Sequence, residues 1–178
     1  MIQVWDRLVR LLHWTLVLAV ATTWLSTMDL GLGWAHERAG YVAAAVVSGR
    51  LLWGWVGRRY ARFAQFVRPP SEVLAYSRQV WRRQEPRHIG HNPLGGWMVL
   101  ALLACTAGTA FTGWLQTTDR YWGSEPLEFV HTGLAWTLLG LIALHLAGVV
   151  FTSLRHRENL VRAMITGRKP APHGDDVA

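Results

Sequence analysis

Four stretches of this chain stay apolar for roughly the 20 residues that a helix needs to cross a bilayer. The most continuous runs from Phe129 to Leu154 without a single Asp, Glu, Lys or Arg. Leu11 to Met28 is likewise free of formal charge. A third run extends from about Leu94 to Leu115. The remaining one, about His36 to Gly57, is broken by Arg50, with Ala39 to Gly49 and Leu51 to Gly57 uncharged on either side. The predicted spans are 11–28, 36–57, 94–115 and 129–154, so the expected fold is an all-α membrane protein, a four-transmembrane-helix bundle. A signal peptide competes for the first run, because Ala19-Val20-Ala21 resembles a cleavage site. Three further spans and the presence of His13 inside the run argue against it.

The connecting segments carry their own signals. Asp29 to Ala35 is a short Gly-containing turn, and Gln116 to Leu127 is a polar loop with Asp119, Arg120 and Glu125. Arg58 to Arg87 is a basic connector. Within it Pro69-Pro70-Ser71-Glu72 reads as a helix start, with Ser71 as N-cap and Glu72 in the first turn. Val73, Leu74, Ser77, Val80 and Trp81 then share a face, while Arg78, Arg82 and Arg83 crowd the end. That pattern predicts an amphipathic interfacial helix over about 71–84; a plain soluble connector is the alternative. The third span opens with GHNPLGG, where Asn92 can cap and Pro93 can take the first helical position. Gly108 and Gly113, with Thr106, Ala107, Thr109 and Thr112, form a small-residue surface suited to close packing or to a flat ligand. Arg155 to Lys169 is basic and helix-compatible, with Leu160, Val161, Met164 and Ile165 as its apolar face. The domain is expected over 1–169, with a disordered tail over 170–178.

Charge orients the spans. The chain is 51% hydrophobic and 16% charged, with net charge +7 and mean hydropathy +0.16. A basic balance can signal nucleic acid, but here the arginines flank the apolar runs, so no nucleic-acid partner is expected. Of the 18 Lys and Arg, only Arg38 and Arg120 lie in the two loops of one side. Both termini are therefore expected to be cytoplasmic. Trp24, Trp34, Trp53, Trp55, Trp97, Trp114 and Trp122 fall near the expected interfaces. The single cysteine, Cys105, excludes an internal disulfide and a Cys-based metal site, and the lack of CxxCH gives no support to covalent c-type haem.

Ionisable groups at membrane depth are costly and mark function. His131 and His145 stand about four helical turns apart on the last span. That interval advances a helix by about 21 Å and returns the side chain to within ~40° of the same face. With the expected topology, His36 and His131 form an outer pair and His13 and His145 an inner pair. Two imidazoles facing each other across a bundle are the axial ligands of a low-spin b-type haem, which favours electron transfer over oxygen chemistry. Zinc or a proton relay could also use histidines, though neither needs two levels so widely separated. Arg50 follows His36 at the same interval that separates His131 from His145; snorkelling near a helix end is its structural alternative. His88 and His91 read as solvated or structural, with quinol-proton transfer as the functional alternative, and His156 and His173 as solvated.

VWDRLVRLLHW with His13, WAHERAGY with His36, the His36-to-Arg50 interval, GHNPLGGWM, and the two-histidine last span closing on RHRENLVRAMITGRK resemble the bacterial cytochrome b561 family, in the branch sharing the hydrogenase cytochrome b-type domain. The similarity runs from about Val4 to Lys169. It implies two haem b groups held by His13, His36, His131 and His145, with Arg50 near the inner haem facing a propionate or the quinone. It implies a multi-pass protein of the bacterial inner membrane, exchanging electrons between ubiquinone or menaquinone and a redox partner. A periplasmic cytochrome c is the partner first expected, docking on Asp29, Glu37, Asp119, Glu125 and Glu128. Alternatives are a superoxide oxidase, the membrane subunit of a hydrogenase or dehydrogenase, or, in another class, a haem-free transporter or scaffold. Whether the chain counts as an enzyme is open at this point.

Overall fold

The computed structural model describes residues 1–28, 33–174 and 176–177. Its order is β1 (Ile2–Gln3), α1 (Arg7–Ser26), α2 (Gly33–Val56), a 3-10 turn (Arg59–Ala61), α3 (Phe63–Phe66), α4 (Pro70–Trp81), α5 (Pro93–Gln116), α6 (Glu125–Arg155), α7 (Leu160–Thr166) and β2 (Arg168–Lys169). The helices α1, α2, α5 and α6 are long and apolar enough to cross a membrane. They fall on the four predicted runs. The expected turn at Asp29 to Ala35 lies largely outside the described residues.

By its internal contacts the chain divides into two compact units. One comprises Met1–Arg10, Leu52–Leu100 and Ala143–Ala178, the other Leu11–Leu51 and Ala101–Ile142. Each long helix contributes residues to both.

The first unit has a mixed aliphatic and aromatic core. Val4, Trp5, Val9, Ala61, Ile89 and Ala163 are buried together, with Ile2, Trp53, Tyr60 and Met164 against them. β1 and β2 pair antiparallel, Ile2 opposite Lys169 and Gln3 opposite Arg168. Gly167 closes α7 at φ 80 and its carbonyl accepts from Val4 and Trp5 N–H at 2.8 and 3.1 Å. A Cβ there would meet the Trp5 carbonyl at 2.5 Å, so both the positive φ and the close approach call for glycine. Asp6 accepts from Val9 N–H at 2.9 Å and from Trp53 Nε1–H at 3.0 Å. Trp53 is thus anchored to a carboxylate.

Helix starts follow two rules here. Asn92 caps α5 by accepting from Gly95 N–H at 2.7 Å, with Pro93 at the first helical position, as its sequence predicts. In α4 the cap moves: Pro69 is the N-cap, without a side-chain bond, and Pro70 begins the helix. Ser71 therefore lies inside the first turn rather than at the cap. Proline suits that first position because its missing N–H would be unpaired there anyway.

In the segment expected to be a disordered tail, Asp176 and Val177 find partners. Ile89 N–H donates to the Val177 carbonyl and Val177 N–H to the Arg87 carbonyl, both at 2.9 Å. Arg87 bridges Glu158 at 3.0 Å and Asp176, and Lys169 reaches Glu158 at 3.0 Å. Glu158 and Lys169 are 8% and 3% exposed. Composition alone reads this tail as polar and loose; the carboxylate of Asp176 gives it a cationic partner.

The second unit is built from small residues. Ala19, Ala39, Ala43, Val46, Val47, Leu103, Cys105 and Leu138 are buried. Gly108 lies where a Cβ would touch Leu134 at 3.4 Å, and Trp24 and Trp136 meet edge to face at 5.1 Å. The threonines of α5 turn back on their own helix, Thr106 to Leu102 at 2.7 Å and Thr109 to Cys105 at 2.9 Å.

The Asp176 carboxylate is held below its ordinary value of 3.8, first by the His173 N–H and also by Arg87. A lowered folded pKa stabilises docking above that ordinary value and withdraws it as pH falls through the folded one. Asp176→Asn is expected to speed hydrogen exchange at the Val177 and Ile89 amides about tenfold at neutral pH. Wild type should show the same loss only below about pH 3.8.

Candidate functional site

Two of the membrane-depth histidines meet in the second unit. His36, in the first turns of α2, and His131, in the first turns of α6, have ring centroids 6.3 Å apart with planes inclined by 63°. Both are half-buried.

Hydroxyls set the tautomer of each ring. His36 Nδ1 is 3.1 Å from the Thr23 carbonyl and 3.0 Å from Ser26 Oγ. The Ser26 hydroxyl donates to that same carbonyl at 2.7 Å, so its lone pairs are what it offers the ring. His131 Nδ1 is 3.1 Å from Thr112 Oγ1. The Thr112 proton is directed to the Gly108 and Thr109 carbonyls at 2.9 and 3.0 Å. Both imidazoles therefore carry hydrogen on Nδ1, an assignment made from the bonding pattern, and present the Nε2 lone pair as the ligating atom. Metal-binding histidines are oriented by this kind of outer bond.

The pair fits an axially ligated iron. Metal–nitrogen bonds of about 2 Å on each side, plus about 1 Å from nitrogen to ring centre, place the centroids roughly 6 Å apart. Among the described residues no group of three or more His, Cys, Asp or Glu gathers to hold a metal ion. A porphyrin supplies four ligands itself and asks the protein for two, one from each face. Gly113 faces the site: a Cβ there would meet His131 Cε1 at 3.1 Å, so a larger residue would crowd the ring.

The other candidates are distributed as follows. His13 lies in the second unit, half-buried and edge-on to Trp14 at 5.3 Å. His145 lies in the first unit, also half-buried. Arg50 is only 8% exposed, which sets aside the snorkelling alternative. His91 packs between Trp5 and Phe66, with centroids at 4.7 and 4.5 Å, an aromatic packing role. His88 donates Nδ1–H to the Pro86 carbonyl at 3.2 Å and packs edge-on to Tyr76 at 5.2 Å. Burial pushes its pKa below 6.5, so the ring is neutral. Burial and the nearby Glu85 raise the Tyr76 phenol to about 12. Glu37, Asp119, Glu125 and Glu128 are exposed in the second unit; Asp29 lies outside the described residues.

The orienting partners escaped sequence reading. Thr112 was visible as part of the small-residue surface. Ser26 and Thr23 lie 10 and 13 residues from His36 across a turn, and no spacing rule marks them.

Four membrane-length helices and two histidine rings 6.3 Å apart are features that suit a membrane cytochrome. Residues 4–167 match the sequence profile of the prokaryotic cytochrome b561 family, and the chain belongs to that family. It is similar to probable Ni/Fe-hydrogenase B-type cytochrome subunits of Rhodobacter capsulatus, 24% identical over 94% of this chain and 81% of that protein, and of Azotobacter vinelandii, 24% identical over 93% and 87%. A third such subunit, of Azotobacter chroococcum mcd 1, is 23% identical over 93% and 87%. No solved structure is significantly similar to the chain. The protein is thus a prokaryotic membrane haem b electron-transfer protein.

Thr112→Val keeps the shape of the side chain and removes the Nδ1 acceptor. With Ser26→Ala on the opposite ring, it is expected to weaken haem retention about 10-fold or more, measured by haem loss to a scavenger, while helix content by circular dichroism stays at the wild-type level.

Proposed function

We propose that the protein is a di-haem b cytochrome that passes electrons between membrane quinone and a redox partner. The observation that carries this reading is the His36–His131 pair, 6.3 Å apart, each with an oxygen about 3.1 Å from its Nδ1. His36 and His131 would hold one haem, and His13 and His145 a second. The second assignment rests on the interval between His131 and His145 within α6 and on the depth of His13 in the first span. When bound, the haems supply one-electron redox chemistry. The chain orients the ligands and with Arg50 offers a guanidinium toward a propionate or the quinone side. A haem held by two histidines would supply electron transfer rather than oxygen activation. In this reading the four helices form a bundle in the bacterial inner membrane with both termini cytoplasmic, supported by the distribution of arginines.

Two partners are supported by different observations. The exposed carboxylates Glu37, Asp119, Glu125 and Glu128 favour a basic one-electron carrier such as a periplasmic cytochrome c. They also disfavour superoxide, an anion, as the donor at that face. The names of the relatives favour instead the membrane subunit of a hydrogenase or similar metalloenzyme.

Replacing any one of His13, His36, His131 or His145 by Ala should remove about half of the haem measured as pyridine haemochrome, because one of two axial ligands holds each group weakly. If His131→Ala and His145→Ala both keep full haem content, the assignment fails. Rapid mixing of the reduced protein with cytochrome c should show oxidation that slows as salt rises. No oxidation at any ionic strength, together with copurification of a metalloenzyme, would assign the partner to the second class.

A further inference from the structure

In the first unit, α4 and the end of α6 border a groove of about 500 Å³, lined by Ser77, Val80, Trp81, Arg83, Phe151 and Arg155. One wall is apolar and open: Phe151 is 51% and Trp81 89% exposed. Val150 and Leu154 continue that surface along α6. The other wall is cationic. Glu85, buried behind Arg155, accepts from its Nε at 2.6 Å and from its Nη2 at 3.3 Å. The pair holds the guanidinium in place, cancels its charge and leaves Nη1 as a donor. The Ser77 hydroxyl is turned back to the Leu74 carbonyl at 2.8 Å, so the arginines are the donors in the groove.

Arg83 stands where glycine is the rule. The end of α4 is closed by Arg83 N–H to the Val80 carbonyl at 3.1 Å and Gln84 N–H to the Gln79 carbonyl at 2.9 Å. This double bond pattern puts the intervening residue in the left-handed region, and Arg83 has φ 60. The end of α6 repeats the device: Glu158 N–H bonds the Ser153 carbonyl at 3.0 Å, and Arg157 has φ 51. Two helices thus turn on exposed arginines in a conformation that favours glycine. Among the described residues Arg83 has no carboxylate partner. Arg78 and Arg82 add positive charge beside it.

We propose that this groove binds an acidic phospholipid. The phosphate lies against Arg83 and Arg155 Nη1, and an acyl chain runs along Phe151 and Leu154. The site has the two characters of an amphiphile, at the point where an apolar helix gives way to arginines. A zwitterionic headgroup would bring its own ammonium toward Arg78, Arg82 and Arg83, so an anionic one is favoured. None of these residues is a histidine ligand, and the site stands apart from the haem assignment.

The test uses the full-length, haem-loaded protein, purified in mild detergent, with retained lipid quantified by mass spectrometry and melting followed on addition of phosphatidylglycerol or phosphatidylcholine. Wild type should retain phosphatidylglycerol selectively and melt higher when it is added. Arg83→Gln should retain about tenfold less, the loss of one charge-assisted contact. Arg83→Gly separates binding from folding. Glycine relieves the left-handed residue, so this variant should melt no lower than wild type without lipid, yet fail to respond to it. Equal retention by wild type and both variants overturns the proposal. So does equal retention of phosphatidylcholine, or the same protection by inorganic phosphate alone. Recovery of a quinone that Arg83→Gln loses, with phospholipid unchanged, overturns it as well.

Discussion

A side chain that hydrogen-bonds must find its partner within the protein once it sits among apolar helices, because no water reaches it there. Hydroxyls of the second unit obey this. Thr106, Thr109 and Thr112 donate to carbonyls one turn back, and Ser26 donates to Thr23. Those bonds use the hydroxyl protons and leave the lone pairs pointing outward. Two of these oxygens then take the Nδ1 protons of His36 and His131. The chemistry of the site descends from this chain: a carbonyl satisfied by a hydroxyl, a hydroxyl satisfied by an imidazole, and an imidazole left with one basic nitrogen to offer a metal.

The first unit is held by other means. It carries a short strand pair, a mixed aliphatic and aromatic core and a set of ion pairs around Arg87, Glu158 and Lys169. Buried ions of this kind are tolerable because each has a partner at hydrogen-bond distance. At the end of α6, Arg155 is paired in the same way with buried Glu85, whereas Arg83 and Arg157, just past the ends of α4 and α6, are exposed.

The match of residues 4–167 to the prokaryotic cytochrome b561 profile establishes family and general chemistry. The geometry adds what family membership does not supply, namely which hydroxyls orient which ring and why Gly113 must be small beside His131. Exposed carboxylates in the same unit and buried Arg50 give the protein unlike chemistry along its helices.

The four long helices were legible in the chain itself, because hydropathy is a property of consecutive residues. The Asn92–Pro93 start of α5 was legible for the same reason. The start of α4 was not: Ser71 looks like a cap, but Pro70 takes the first helical position and shifts the boundary. What the tertiary structure alone decided are contacts between distant segments. Arg10 meets the Ile165 carbonyl 155 positions away, Ile2 pairs with Lys169, and Asp176 finds Arg87. The outer bonds of His36 and His131 are of the same type. Periodicity reports which face a residue occupies, whereas a hydrogen bond between helices depends on their separation and rotation, and those are set by packing the whole chain.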